Sequence, residues 1–381
     1  MIYVDNAATT WPKPESVYTA MDSFTRSSAG NPGRGGHHMA VEAERRVQGA
    51  RAALAKLINA EGPERMILAF NATDALNMAI RGVLRPGDHV ITSQVEHNSV
   101  NRPINSLVRA GTITCSVART STDGIVSPED LENLLKPNTR LIAITHASNV
   151  LGVINPIAEY GRIARRHGCL LLIDASQTAG VVPIDVRAMH IDLLAFPGHK
   201  ACFGPMGTGA LYVRPGVEVA TFREGGTGFA SEHEHHPDNY PFHLEAGTPN
   251  AHGLVGLEAG LAFIAKTGIE NILAHERALA MRFADGIRED GRIKLYSGLR
   301  PELQLGPISF VIKGIEPVDA ATIMDQSFRI ACRAGLHCAP TTHKLLGTFP
   351  TGTIRFSFGY FNTTDDVDAC IRAVKTVADS F

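Results

Sequence analysis

The sequence predicts an α/β chain: a large unit with a mostly parallel sheet between helices, then a smaller α+β unit. Between residues 66 and 213, short apolar runs alternate with amphipathic stretches. Strands joined by helices of roughly 10–15 residues form parallel sheets covered on both faces. From about residue 254 the texture changes to a long helical pattern followed by further strand-like segments. The 381 residues, 44% of them hydrophobic, suffice to give both units a core.

In chain order, residues 37–60 (HHMAVEAERRVQGARAALAKLINA) repeat apolar side chains at helical spacing with Glu and Arg between them, the pattern of a surface helix. MILAF (66–70) reads as a strand and NATDALNMAIRGVL (71–84) as the following helix, with Asn71 and Thr73 as capping candidates. HVITSQ (89–94), TITCSVA (112–118), RLIAIT (140–145) and CLLLIDA (169–175) read as strands, separated by helices over 97–109, from about 128, and over 156–167. LLAFPGHK (193–200) and GTGALYV (207–213) continue the series. Residues 253–289 form a helical pattern divided near Gly268. IKLYS (293–297), PISFVI (307–312) and TIRFSFG (353–359) then read as strands, with helices at 317–327 and 365–378. The expected organisation is an arm over 1–15 packing with the small domain, a large domain over 16–250 and the small domain over 251–381.

Lys and Arg number 36 against 38 Asp and Glu, a formal charge of −2 that gives no general attraction to nucleic acid or an anionic membrane. No run approaches the roughly 18–20 apolar residues that span a bilayer, and MIYVDNAATT lacks the features of a secretory signal, so a cytoplasmic protein is expected. The six cysteines (115, 169, 202, 332, 338, 370) are scattered without a CxxC, which suits a reduced compartment.

Two charges interrupt the apolar runs. Asp174 ends LLLID and Lys200 follows LLAFPGH between glycine-marked turns. Singly, each has an ordinary reading, a turn-capping acid and a solvated lysine. Together, at the strand ends where α/β sheets bind ligands, they meet the needs of a pyridoxal cofactor: an amine for its Schiff base and an acid at its pyridine nitrogen. Gln177, Thr145, His146 and Asn149 fall at neighbouring strand ends. Ala72, Thr73 and Asp74 open a helix whose N-terminus suits a phosphate. His97 begins the next helix, where its ring can stack on the cofactor.

NAATT (6–10), NATDALN (71–77), EHNS (96–99), HASNVLG (146–152), DASQ (174–177), GHK (198–200), EAGTPN (245–250), RAGLHC (333–338) and GTIRFSFGYFNT (352–363) together resemble the class V aminotransferases over essentially the whole chain. The nearest likeness is to the cysteine desulfurase and selenocysteine lyase branch. The resemblance implies a PLP-dependent transferase fold of the type I aminotransferase kind, with a mostly parallel seven-stranded sheet in its large domain. It implies that Lys200 joins pyridoxal 5'-phosphate covalently, Asp174 pairs with the pyridine nitrogen, Gln177 binds the ring hydroxyl and His97 stacks on the ring. It further assigns Ala72, Thr73 and His199 to the cofactor, Asn149 and Arg355 to the substrate carboxylate, and Thr227 to the phosphate of the neighbouring subunit in a homodimer with shared sites. One position departs from the branch: Pro197 stands where a phosphate-binding serine is common, and proline offers neither a hydroxyl nor an N–H.

Such a cofactor loosens bonds at a substrate's α-carbon without fixing the reaction. A transaminase needs room for a second keto acid, whereas a desulfurase needs a thiol near the substrate sulfur. RAGLHCAPTTHK (333–344) reads as a polar loop with Cys338 beside His337 and His343, and a thiol near cations is a competent nucleophile. The resemblance makes Cys338 the sulfur acceptor. The expected reaction turns L-cysteine into L-alanine and leaves a persulfide on Cys338 for an acceptor protein or reductant. A selenocysteine lyase, another β-eliminating lyase and an aminotransferase stand as alternatives. SEHEHHPDNYPFH (231–243) holds four histidines but no standard zinc spacing and reads as a solvated loop, so no metal is expected. Arg45 and Arg46 read as surface, and the other cysteines as structural.

Overall fold

The computed structural model describes residues 1–381 except 34, 229–231, 233, 298 and 299. A short strand β1 (Ile2–Tyr3) leads to helices α1 (Glu15–Ser27) and α2 (His38–Leu57). The alternating region follows as β2 (Met66–Ala69), α3 (Ala72–Val83), β3 (His89–Ser93), α4 (Asn98–Arg109), β4 (Thr114–Ala118), α5 (Pro128–Asn133), β5 (Thr139–Thr145), α6 (Ile157–His167), β6 (Leu170–Asp174), β7 (Leu193–Pro197) and β8 (Gly209–Val213). The C-terminal part contains α7 (Ala251–Thr267), α8 (Ile269–Arg288), β9 (Ile293–Leu295), β10 (Pro307–Ile312), α9 (Pro317–Phe328), β11 (Ile330–Ala331), β12 (Arg333–Gly335), α10 (Pro340–Leu346), β13 (Thr353–Ser357) and α11 (Thr364–Asp379).

Seven strands form one sheet in the order β2-β8-β7-β6-β5-β3-β4. All neighbours are parallel except those of β8, which runs antiparallel to β2 and β7. The expected mostly parallel seven-stranded sheet is thus present. Its central strands are buried on both faces, as their unbroken apolar runs require. One face packs Ile142, Ile144, Leu171 and Ile173 with α2 and α7, the other Ala143, Leu172 and Ala195 with α3. Helix α7 lies against α1 and α2, so its apolar side chains join the core of the large sheet.

A second, antiparallel sheet has the order β12-β13-β10-β9 and a core of its own. Phe283 of α8 stacks on Phe356 of β13 at 5.0 Å between centroids and meets Phe310 of β10 at 5.6 Å. The N-terminal segment is tied into this unit. β1 pairs parallel with β11, and Val4 is fully buried among the same apolar side chains.

One local reading needs correction. Residues 333–344 are not all loop, because β12 adds to the edge of the small sheet and Pro340 opens α10. Proline suits a first helical turn, where its missing N–H has no intrahelical acceptor to satisfy. Asn71 is the N-cap of α3, its side chain accepting from Asp74 N–H, whereas Thr73 lies inside the first turn.

Candidate active site

The carboxyl ends of β3, β5, β6 and β7 deliver His97, Asn149, Asp174 and Lys200 to one cleft of about 160 Å3. Ala72, Thr73, Gln177 and His199 line it too, so eight sequence-predicted residues meet here. Asp174 ends β6 and is buried; its Oδ1 accepts from the N–H and hydroxyl of Ser176. Its backbone carbonyl accepts from His146 N–H at 2.9 Å, tying the ends of β5 and β6.

Burial lowers the Lys200 amine to about 8. The Asp174 carboxylate opposes this shift, while Arg355 and Arg333 reinforce it. More of the amine is therefore free base at neutral pH than for a solvated lysine. His97 caps α4: Nδ1 accepts from Ser99 N–H at 3.1 Å and lies 2.7 Å from Ser99 Oγ. Burial holds its ring below the ordinary histidine range, and an accepting Nδ1 leaves the proton on Nε2. His199 is lowered to about 4, mainly by burial, and its Nδ1 is buried with no partner. Gln177 donates from Nε2 to Ala7 O at 3.1 Å, linking the cleft to the N-terminal segment.

Arg355 on β13 is almost fully buried. Nη1 donates to Asn149 O at 2.9 Å, Nη2 donates to Asp5 Oδ1 at 2.7 Å, and Nε is buried without a partner. Asn149 Nδ2 donates to His337 O, fixing the β5 loop against the Cys338 segment. Cys338 is exposed, with φ of 58°, and its carbonyl accepts from Asn98 N–H at the start of α4. It lines a second groove of about 330 Å3 that shares Thr73, His97 and Ser99 with the Lys200 cleft.

The cation beside this thiol differs from the one expected. Burial drives His337 well below the histidine range and takes His343 to about 4, so both are neutral at physiological pH. Arg333 supplies the positive charge instead, with Nη2 3.6 Å from Cys338 Sγ. It lies across from Arg355 in the β12–β13 register. Sequence reading passed over Arg333 and also Asp5, the ionic partner of Arg355. A basic residue two strand positions before Gly335 in RAGLHC was the available signal for the first; nothing local marks the second.

Thr227 lies elsewhere, along a separate cleft of about 330 Å3 beside the Arg51–Glu245 ion pair. Within one chain it does not join the Lys200 cleft. Of the histidine-rich stretch, 231 and 233 lie outside the described residues, and His243 Nε2 sits 2.8 Å from Val219 O. Arg45 and Arg46 are engaged with Glu42 and Glu258. The other five cysteines are buried or partly buried, and burial raises each thiol above its ordinary value. Among the described residues no helix is long and apolar enough to cross a membrane.

The cleft fits the pyridoxal group. It offers a buried acid, an amine with a lowered pKa and an imidazole at the N-cap of α4. At the start of α3, the amides of Ala72 and Thr73 have no intrahelical acceptor and suit a phosphate. The unpartnered His199 Nδ1 is a further polar contact for such a group. Pro197 adds none.

The class V aminotransferase model matches residues 2–370. A probable cysteine desulfurase of Methanothermobacter thermautotrophicus is 34% identical over 383 residues, 99% of this chain and 94% of the relative. A cysteine desulfurase of Escherichia coli is 31% identical over 387 residues, 99% of this chain and 93% of the relative. The apo structure of a cysteine desulfurase from Thermococcus onnurineus superposes with a TM-score of 0.90 at 31% identity, covering 100% of this chain and 95% of that one. The chain belongs to the class V aminotransferase family, whose fold is that of PLP-dependent transferases. Within that family it falls in the cysteine desulfurase branch of enzymes.

Proposed function

We propose that this chain binds pyridoxal 5'-phosphate at Lys200 and converts L-cysteine to L-alanine, keeping the sulfur as a persulfide on Cys338. The observation that carries the reading is the exposed Cys338 thiol in a groove that opens onto the Lys200 cleft, with Arg333 beside it. A transaminase has no use for a thiol placed there.

When bound, the cofactor supplies an electron sink for bonds at the substrate's α-carbon. Lys200 would hold the group covalently through Nζ, and as a free amine would accept the substrate's α-proton at that atom, which its lowered pKa favours. Asp174 would pair with the ring nitrogen of the bound group, and His97 would stack on its ring. Arg355 receives the substrate carboxylate, its Nε being the donor left without a partner, with Asn149 beside it. Cys338 Sγ attacks the substrate sulfur: the new S–S bond forms as the carbon–sulfur bond breaks, and that electron pair returns to the carbon side. The balance is L-cysteine plus one thiol giving L-alanine plus one persulfide, with no external oxidant or reductant. Arg333 sits beside the attacking sulfur, its Nη2 3.6 Å from Cys338 Sγ. The same reading makes the enzyme a homodimer in which Thr227 reaches the partner's phosphate.

Purified protein is expected to be yellow, and borohydride should abolish the colour while fixing the cofactor mass to Lys200. L-cysteine should release alanine. Protein that takes up no pyridoxal phosphate at saturation defeats the reading, and so does interconversion of an amino donor and keto acid with no alanine from cysteine.

A further inference from the structure

The carbonyl of His199, one residue before Lys200, accepts three hydrogen bonds from the N-terminal segment. Lys13 Nζ donates to it at 2.6 Å, Thr9 Oγ1 at 3.1 Å and Thr10 N–H at 3.1 Å. A carbonyl oxygen has two lone pairs, so this one is held by more donors than it needs. The turn that follows is closed by its own backbone, Gly204 N–H donating to Gly198 O at 2.8 Å and Phe203 N–H to Lys200 O at 2.9 Å. The His199 carbonyl is where the N-terminal segment grips this turn.

A lysine is a costly residue for that task if it only stabilises the fold. Lys13 is part-buried, burial lowers its amine to about 8, and among the described residues it has no carboxylate partner. The group that favours its charge, the Cys202 thiol, is itself raised to about 12 by burial and stays neutral. A desolvated ammonium without a counter-ion carries a free-energy penalty that an apolar side chain would avoid. What the charge provides is the short contact to the His199 carbonyl.

The same segment continues to the substrate side. Asp5 Oδ1 accepts from Arg355 Nη2 at 2.7 Å, Asn6 Nδ2 donates to Ser357 O at 3.0 Å and Ala7 N–H to Ser357 Oγ at 2.9 Å. We propose that Lys13 is a positioning residue for Lys200: it pins the His199 carbonyl so that the Lys200 amine points into the cofactor cleft, and residues 5–13 act as one strap between Arg355 and Lys200. The inference rests on the reading that Lys200 carries the cofactor. Lys13 does not line the cleft and acts through the backbone.

The test uses full-length apoprotein, unsubstituted and Lys13→Met, with pyridoxal 5'-phosphate and with pyridoxine 5'-phosphate, an alcohol that lacks the aldehyde and cannot join a lysine. Covalent capture of the aldehyde is followed by borohydride trapping and mass, and equilibrium binding of the alcohol by calorimetry. Lys13→Met should slow capture about tenfold or more, since a misplaced reacting group loses rate steeply. Its affinity for the alcohol should change by less than about threefold, because Asp174 and the α3 amides are untouched. Equal capture rates, or a loss of alcohol affinity as large as the loss of rate, overturns the proposal. Should Lys13→Met fail to fold, Thr9→Val removes one hydroxyl donor to the same carbonyl and should slow capture about threefold or more. An unchanged rate in that variant overturns the proposal.

In parallel, the apoproteins are labelled with trace acetic anhydride across a range of pH, and acetylation of Lys200 is read by peptide mass. The charges that act on Lys200 are those of Asp174, Arg355, Arg333 and Asp5, all kept in the variants, so a shift on losing Lys13 reports position. A freed turn lets the amine reach water, and its midpoint should rise by about one pH unit, a tenfold fall in free amine at neutral pH. An unchanged midpoint overturns the proposal. If unsubstituted apoprotein captures no pyridoxal phosphate, the cofactor reading fails by itself and the labelling result still decides the role of Lys13.

Discussion

Arg355 and Asp5 meet through a contact that no local stretch of sequence announces. The guanidinium is nearly inaccessible, and of its donors two face Asn149 O and Asp5 while Nε stays free. Replacing Arg355 by Ala should weaken capture of L-cysteine by about 2–5 kcal/mol, because a buried carboxylate is left unpaired, while the cofactor stays bound. Spectral titration of the folded holoenzyme measures this; a lowered melting temperature with unchanged half-saturation would make Arg355 a packing residue. Asp174 and Lys200 were legible in the sequence because each breaks an apolar run at a strand end. Arg333 and Asp5 were not, since their roles arise from the β12–β13 register and from a segment 350 residues away in sequence. The two histidines beside Cys338 look like cations by type, but burial makes both neutral.

At the level of elements, periodicity located α2, α3 and the parallel strands to within a few residues, because helices and buried strands write their burial pattern into adjacent positions. It could not locate β1, β11 or β12, which have two or three residues each and exist through distant pairing. The turn between β3 and α4 hides another such feature. Glu96 is fully buried there, and its Oε1 accepts from Ser93 Oγ at 2.6 Å and Thr145 N–H at 3.0 Å, joining the ends of β3 and β5. Burial chiefly, with the Asp174 charge adding, raises its carboxyl from 4.5 to about 8. The folded state thus binds a proton that the unfolded chain releases above 4.5. The resulting stabilisation is complete below that value and fades as pH rises toward about 8. Glu96→Gln keeps a neutral side chain at every pH. Its stability relative to the unsubstituted protein should therefore rise between pH 5 and 8, by on the order of 1–3 kcal/mol. Denaturant melts across that window decide it; a parallel pair of curves would mean that Glu96 ionises as freely folded as unfolded.

In the whole molecule, two separately cored units contribute to one candidate active region. The seven-stranded sheet brings Lys200, Asp174 and His97, and the small sheet brings Arg355, Arg333 and Cys338. Thr227 lies along another cleft of the same chain, and the proposed role for it is to act across a subunit boundary. Sedimentation of holoenzyme at micromolar concentration should give a dimer, and Thr227→Ala should weaken cofactor retention without dissociating it; a monomer removes the shared-site assignment. The central claim is that sulfur leaves the substrate onto Cys338. It is tested most directly by intact mass of holoenzyme and its Cys338→Ser variant after L-cysteine, with alanine counted in the same samples. The unsubstituted enzyme should gain one sulfur at Cys338 for the first alanine released, while the variant keeps the cofactor spectrum, gains no sulfur and forms no alanine. Equal alanine release from both proteins, with no sulfur adduct on either, would contradict it.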